Sequence, residues 1–163
     1  MPAKHGVAVV SPAVLALLLA FALTRAPLPT APATPTWSSW PARGTITTPF
    51  GAGHPGIDIG ILRSLTVRAA QPGTVVAVGQ PLGFEGYGNV VEVADGRGFT
   101  SLYAHLAGWR VRVGQQVWAG QRIGTAGCTG WCTGTHLHFE MRRFGLPVNP
   151  LDFRGADRLL VAR

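Results

Sequence analysis

The stretch Asn89-Val90-Val91-Glu92-Val93-Ala94-Asp95-Gly96-Arg97-Gly98-Phe99-Thr100-Ser101-Leu102-Tyr103-Ala104-His105 holds two runs rich in β-branched and aromatic residues, split by Asp95-Gly96. An Asp-Gly pair tolerates the positive φ angles of a tight hairpin turn, so two antiparallel strands are expected over 89–94 and 100–105. Working outward, further short β-type runs occur at 74–78, 109–113, 121–126 and 136–142, each bounded by glycine or polar turn residues. No 3.6-residue apolar period survives among them. With 22 glycines in 163 residues to serve turns and bulges, the expectation is an all-β, compact, glycine-rich, largely antiparallel sheet domain. Only the tail at 156–161 reads as briefly helical.

The N-terminus has a different character. Residues 6–23 are almost wholly apolar, preceded by Lys4 and followed by Arg25, which is the pattern of an export signal. Small residues at Ala20-Phe21-Ala22 and at Thr24-Arg25-Ala26 offer cleavage points, while the length approaches that of a membrane-spanning helix. Residues 1–26 are therefore read as a signal peptide or a membrane anchor. Residues 27–41, dominated by Pro, Ala and Thr, read as an extended linker. The folded domain is expected over 42–153, with 154–163 as a tail. Trp37 and Trp40 are expected to dock back on it.

The chain carries a formal net charge of +7. Its arginines are scattered singly, with no basic cluster interleaved with aromatics, so no nucleic-acid groove is expected. Outside a cell such charge favours residence on an anionic wall polymer, an attraction that salt would weaken.

Of five histidines, four fall at His54, His105, His136 and His138, beside turns or strand ends. In His54-Pro55-Gly56-Ile57-Asp58 the Pro and Gly exclude a regular helix. On an extended chain positions 54 and 58 share a face, and an imidazole with a carboxylate suits zinc. In His136-Leu137-His138-Phe139-Glu140-Met141 the period of two sets His136, His138 and Glu140 against Leu137, Phe139 and Met141, one face for chemistry and one for core. The different heights of the two histidines favour one as a ligand and the other as a supporting or catalytic group. Glu140 is either an orienting partner or a solvated strand residue. His105 ends its strand two residues past Tyr103, on the same face.

These motifs, together with Phe50-Gly51, Pro72-Gly73-Thr74-Val75-Val76, Gly86-Tyr87-Gly88-Asn89, Tyr103-Ala104-His105-Leu106, Gly120-Gln121-Arg122-Ile123-Gly124 and Leu146-Pro147-Val148-Asn149-Pro150, resemble the lysostaphin-type, or LytM-like, zinc endopeptidases of bacterial cell walls. The resemblance covers residues 40–153. It implies a domain of the barrel-sandwich, duplicated hybrid motif type, and one zinc ion held by His54, Asp58 and His138. It makes His105 and His136 the catalytic pair. It further implies an extracytoplasmic monomer acting on peptidoglycan stems or cross-bridges, touching a membrane only through residues 6–23 if these are uncleaved.

Two departures from that pattern stand out. Cys128-Thr129-Gly130-Trp131-Cys132 replaces a loop that in the family is usually Ser/Thr/Gly, and in an exported protein it is expected to close as a disulfide bracing the approach to His136. A structural zinc on the two cysteines and the two histidines is disfavoured, because His-x-His lacks the wider spacing that lets both imidazoles reach one ion. Before His54 the chain offers Thr47 and Thr48 where relatives often carry arginine. A transition-state tyrosine is then Tyr103, Tyr87 or absent. The alternative within the family is a catalytically silent wall-binding or hydrolase-activating module, but such members tend to lose ligands and this sequence keeps all of them. A lipoyl- or biotinyl-type carrier, matched by the Val-x-x-Gly cadence at 111–124, is excluded because Lys4 is the only lysine.

Overall fold

The computed structural model describes residues 38–154. The apolar segment 6–23, the beginning of the linker with Trp37, and the tail at 156–161 lie outside the described residues. Among the described residues no helix is long and apolar enough to cross a membrane.

Eleven strands follow one another: β1 (Arg43–Thr48), β2 (Ile57–Ser64), β3 (Thr66–Arg68), β4 (Gly73–Gly79), β5 (Val90–Ala94), β6 (Phe99–Ala104), β7 (Leu106–Trp109), β8 (Gln116–Val117), β9 (Arg122–Ala126), β10 (His136–Arg143) and β11 (Leu146–Val148), before a 3-10 turn at Pro150–Phe153. The larger sheet runs β1-β2-β10-β6-β5-β4-β8, with β11 on β10, and a smaller one runs β3-β9-β7. Every pairing among them is antiparallel. The all-β, largely antiparallel reading of the sequence therefore holds.

The alternation in the sequence explains which faces meet. Ile57, Ile59, Val91, Val93, Tyr103, Leu137, Phe139 and Met141 from the large sheet pack with Val67, Leu106, Ile123 and Ala126 from the small one in a single core. Each such large apolar side chain removed from water contributes about 1.5–3 kcal/mol against the entropy of ordering the chain. Trp40 packs against this core, as its docking role required. On the opposite face of the large sheet, Val90, Leu102 and Ala104 are covered by Phe84 and Tyr87 from the loop between β4 and β5. That second face carries the histidines.

The Asp95-Gly96 hairpin forms as expected, with the Asp95 carboxylate accepting from the Arg97 and Phe99 amides. Two sequence expectations need correcting. The run 109–113 is not a strand, because β7 ends at Trp109 and the chain turns through Gly114 at φ 83°. Nor is the chain extended from His54 to Asp58. Gly51 and His54 bridge across a tight turn, and β2 begins only at Ile57.

Candidate metal centre and the histidines around it

Asp58 lies in β2 directly opposite His138 in β10, and His138 in turn pairs with Ala104 in β6. The turn carrying His54 can approach β10 because residue 56 is glycine: a Cβ there would overlap the Phe139 carbonyl. His54 Nε2, Asp58 Oδ1 and His138 Nδ1 consequently converge. Their separations are 3.2 Å from His54 to Asp58, 3.2 Å from His54 to His138, and 2.8 Å from His138 to Asp58.

The far nitrogen of each imidazole fixes what the near one presents. His54 Nδ1 lies 2.9 Å from the Pro49 carbonyl, and His138 Nε2 lies 3.0 Å from Glu140 Oε1. A carbonyl or carboxylate can only accept, so a proton on each far nitrogen leaves the near one able to give a lone pair to a metal, in place of the hydrogen bond that a protonated His138 Nδ1 donates to Asp58 Oδ1 at 2.8 Å. With the protons on the far nitrogens, two lone pairs and a carboxylate lie within 3.2 Å of one another, an arrangement that a cation among them would stabilise. Zinc bonded at 2.0–2.2 Å in tetrahedral geometry separates its ligand atoms by about 3.3–3.6 Å, so an outward relaxation of a few tenths of an ångström fits it here. The donor set, two imidazole nitrogens and one carboxylate oxygen, is of the type zinc takes with a further coordination position left for reaction.

Burial pushes the Asp58 carboxyl up, but hydrogen bonds from His138 and Thr48 and the nearby imidazoles outweigh it and hold the group well below the usual carboxylate range. Burial likewise lowers His138, while Asp58 and Glu140 raise it further, for a net rise. Glu140 itself is fully buried. Its carboxylate accepts from His138 Nε2, from the Tyr87 hydroxyl at 2.6 Å and from Arg142 Nε at 2.6 Å. These donors compensate its desolvation and hold it ionised. Of the two alternatives left open by the sequence, Glu140 is thus an orienting partner and not a solvated residue. Burial and the Glu140 contact push the Tyr87 phenol up to about 12, so it keeps its proton.

His105 and His136 stand beside the triad with ring centroids 4.8 Å apart. The His105 ring lies 5.8 Å from that of His138. His136 Nε2 is 3.7 Å from Asp58 Oδ1. Their far nitrogens are also committed, His105 Nδ1 to the Thr129 carbonyl at 2.8 Å and His136 Nδ1 to the Gly134 carbonyl at 2.7 Å. Burial, joined by the neighbouring imidazoles, lowers the His105 pKa below the ordinary value despite the Thr129 contact. All five residues line one cleft of about 380 Å³, which Glu85, Gly86 and Tyr87 and the residues Trp131, Cys132 and Thr133 also line.

The expectation that Tyr103 and His105 share a face is overturned. His105 adopts φ 58°, which breaks the strand alternation and swings its ring to the cleft while Tyr103 stays in the core. The Tyr103 hydroxyl accepts from the Ala70 amide at 2.7 Å and contacts Ser101 Oγ at 3.0 Å, so the candidate tyrosines reduce to Tyr87. Cys128 and Cys132 form the expected disulfide. Sequence reasoning missed the Pro49, Thr129 and Gly134 carbonyls and the Tyr87–Glu140–Arg142 network. Peptide carbonyls carry no residue signature, and only the position of Glu140 on the His-x-His face could have pointed to the network.

The model of a family described as Peptidase family M23 matches residues 52–150. The chain is 41% identical over 121 residues to the murein hydrolase activator NlpD of Escherichia coli, covering 72% of this chain and 31% of that protein. It is 41% identical over 98 residues to the DD-carboxypeptidase/endopeptidase Mpg of Neisseria meningitidis, covering 60% of this chain and 22% of that protein. A zinc-containing peptidase from Vibrio cholerae superposes with a TM-score of 0.64 at 28% identity, covering 71% of this chain and 39% of the other. The chain thus spans about a third or less of the length of these curated relatives.

Proposed function

The chain belongs to peptidase family M23, and from that membership we propose that it is a zinc-dependent endopeptidase hydrolysing the peptide cross-links of bacterial peptidoglycan outside the cytoplasm. The observation that carries the reading is the convergence of four imidazoles and one carboxylate on a single cleft, with every imidazole's far nitrogen committed to an oxygen acceptor. His54, Asp58 and His138 hold the metal in this reading. Zinc, when bound, lowers the pKa of a water towards neutrality and polarises a carbonyl oxygen.

The chain's own residues supply the rest. His105, kept neutral by burial and holding its proton on the Thr129 side, offers its free Nε2 to take a proton from the attacking water. His136, its Nδ1 proton held by Gly134, presents Nε2 from the other side of Asp58, where its protonated form donates to the developing oxyanion or to the leaving amine. Water's oxygen joins the carbonyl carbon, the C–N bond breaks, and the amine leaves with the proton relayed through the pair. The open cleft and the Trp131 edge suit an extended peptide substrate. The export-type segment 6–23 and the Cys128–Cys132 disulfide both support an oxidising, extracytoplasmic setting.

A second reading, that of an activator of another wall hydrolase, draws on the likeness to NlpD. An activator has no need of ionisable groups aligned on a cleft, so the intact triad and pair favour hydrolysis. The discriminating experiment incubates the purified, zinc-loaded chain with purified peptidoglycan and identifies the released fragments by mass spectrometry. New amino and carboxyl termini within the peptides support the endopeptidase. Absence of cleavage alone, with increased release when a second wall hydrolase is added, supports the activator and overturns the enzyme.

A further inference from the structure

The two groups of histidines are held by different parts of the chain, and the disulfide belongs to only one of them. Both carbonyls that fix the histidine pair, Thr129 for His105 and Gly134 for His136, lie on or just beyond the five-residue loop closed by Cys128 and Cys132. The carbonyl and carboxylate that fix the triad, Pro49 and Glu140, lie elsewhere.

Within that loop the two ends are anchored unequally. At the near end, Thr129 Oγ1 accepts from the Asn89 amide at 2.9 Å and donates to the Leu106 carbonyl at 3.0 Å. The Trp131 amide donates to the Gly86 carbonyl at 2.8 Å, and residue 130 must be glycine because a Cβ there would overlap Gly86 and Gly88. At the far end, residues 133–135 are exposed, and among the described residues 132–135 make no backbone–backbone hydrogen bond. The Gly134 carbonyl that holds His136 is tied to the anchored end on one side through Cys132 and its disulfide, and on the other through the His136 amide, which donates to the Gly127 carbonyl at 3.3 Å.

We propose that the Cys128–Cys132 disulfide is a positioning element for the histidine pair: it transmits the fixed placement of the Thr129 end to the Gly134 carbonyl and so sets the tautomer and aim of His136. Opening it leaves the triad intact and misaligns the pair, His136 more than His105. This rests on the endopeptidase reading and deepens it, because the family-like residues alone do not require a disulfide. Cys128 is exposed, so the bond is accessible to a reductant.

The test compares the full chain in three forms: oxidised, reduced by a phosphine and then freed of it, and Cys128→Ser/Cys132→Ser. For each form, zinc stoichiometry, kcat and KM on a cross-linked muropeptide, and histidine ring nitrogen signals by 15N NMR are measured. Zinc stays at one per chain, kcat falls at least tenfold in both opened forms, and reoxidation restores it in the reduced form. The His136 signals shift from a single Nδ1-protonated tautomer to an exchanging mixture, while those of His54 and His138 do not change. Unchanged kcat and unchanged His136 signals in an opened form that still cleaves overturn the positioning role and leave the endopeptidase reading standing. Loss of zinc in step with activity also overturns it, since the loop would then act through the whole fold. If the oxidised chain itself does not cleave, the endopeptidase reading fails, and the NMR signals alone decide whether the disulfide positions His136. Should the double variant not fold, the reduction and reoxidation cycle carries the same comparison.

Discussion

Asp58 and His138 of the proposed metal triad share one cleft with the histidine pair but owe their geometry to different physics. Asp58 and His138 sit opposite each other on adjacent strands of the large sheet, over a core of Ile57, Ile59, Leu137 and Phe139, and are braced by a buried carboxylate with three donors. His105 and His136 stand at strand ends, one in a left-handed conformation, each held by a single loop carbonyl. A packed sheet has few alternative arrangements, whereas a loop has many. Metal binding should therefore survive changes that stop turnover, and the reverse should not occur.

The largest effect is expected from removing the metal or a ligand. His138→Ala takes away one of three protein donors and leaves Asp58 and Glu140 without their shared partner. Zinc content should fall to background, and peptide release from purified wall should vanish with it. A chelator applied to the unaltered chain should do the same, and added zinc should restore release in the chelated chain but not in the variant. Full zinc occupancy in His138→Ala would remove the triad from the metal centre.

Next come His105→Ala and His136→Ala, which should retain one zinc per chain by metal analysis while kcat drops by about 10²–10⁴-fold, the range of a lost general acid or base. Loss of zinc in either variant would merge the two groups that the geometry separates.

Glu140→Gln probes the brace. The amide can still accept from His138, but it loses the charge that Arg142 and His138 share, and losing such an orienting partner typically weakens metal affinity by about 10–100-fold. Competition against a chromogenic chelator should find a decrease in that range, with circular dichroism confirming the fold. An unchanged affinity would demote Glu140 to a packing residue.

The same division marks what the sequence could reveal. Strands β4, β5, β6 and β10 announced themselves because Val75, Val91, Val93, Leu137 and Phe139 alternate with residues of the other face. Strand β2 did not, because Asp58 and Gly60 break its β-branched run, and β1 did not because its residues are mostly polar and exposed. His54, Asp58 and the His-x-His pair were legible as residue types that chemistry needs, and their meeting follows from the β2–β10 register that the structure supplies. What holds them was not legible. Three of the four orienting acceptors are peptide carbonyls, whose direction depends on turns such as Gly51–His54 and on the disulfide loop. The left-handed backbone at His105 had no signal either, and it reversed the facing of His105 relative to Tyr103.

That reversal yields the smallest effect on chemistry and the sharpest control. Tyr103 and Tyr87 both lie in the site motifs of the sequence, yet one hydroxyl is bonded in the core to the Ala70 amide and Ser101, and the other to the buried Glu140 carboxylate that holds His138. In Tyr103→Phe the Ala70 amide, fully buried, loses its acceptor, and an unsatisfied buried donor costs about 1–3 kcal/mol. The melting temperature should drop by several degrees while zinc affinity and kcat stay within twofold of the unaltered chain. In Tyr87→Phe the lost hydroxyl belongs to Glu140, which keeps two other donors, so the fold should hold and zinc affinity should weaken only a few-fold. If Tyr103→Phe instead lowered kcat without loss of stability, the core face of the sheet would be reaching into the cleft, and the separation between scaffold and chemistry drawn from the strand alternation would be wrong.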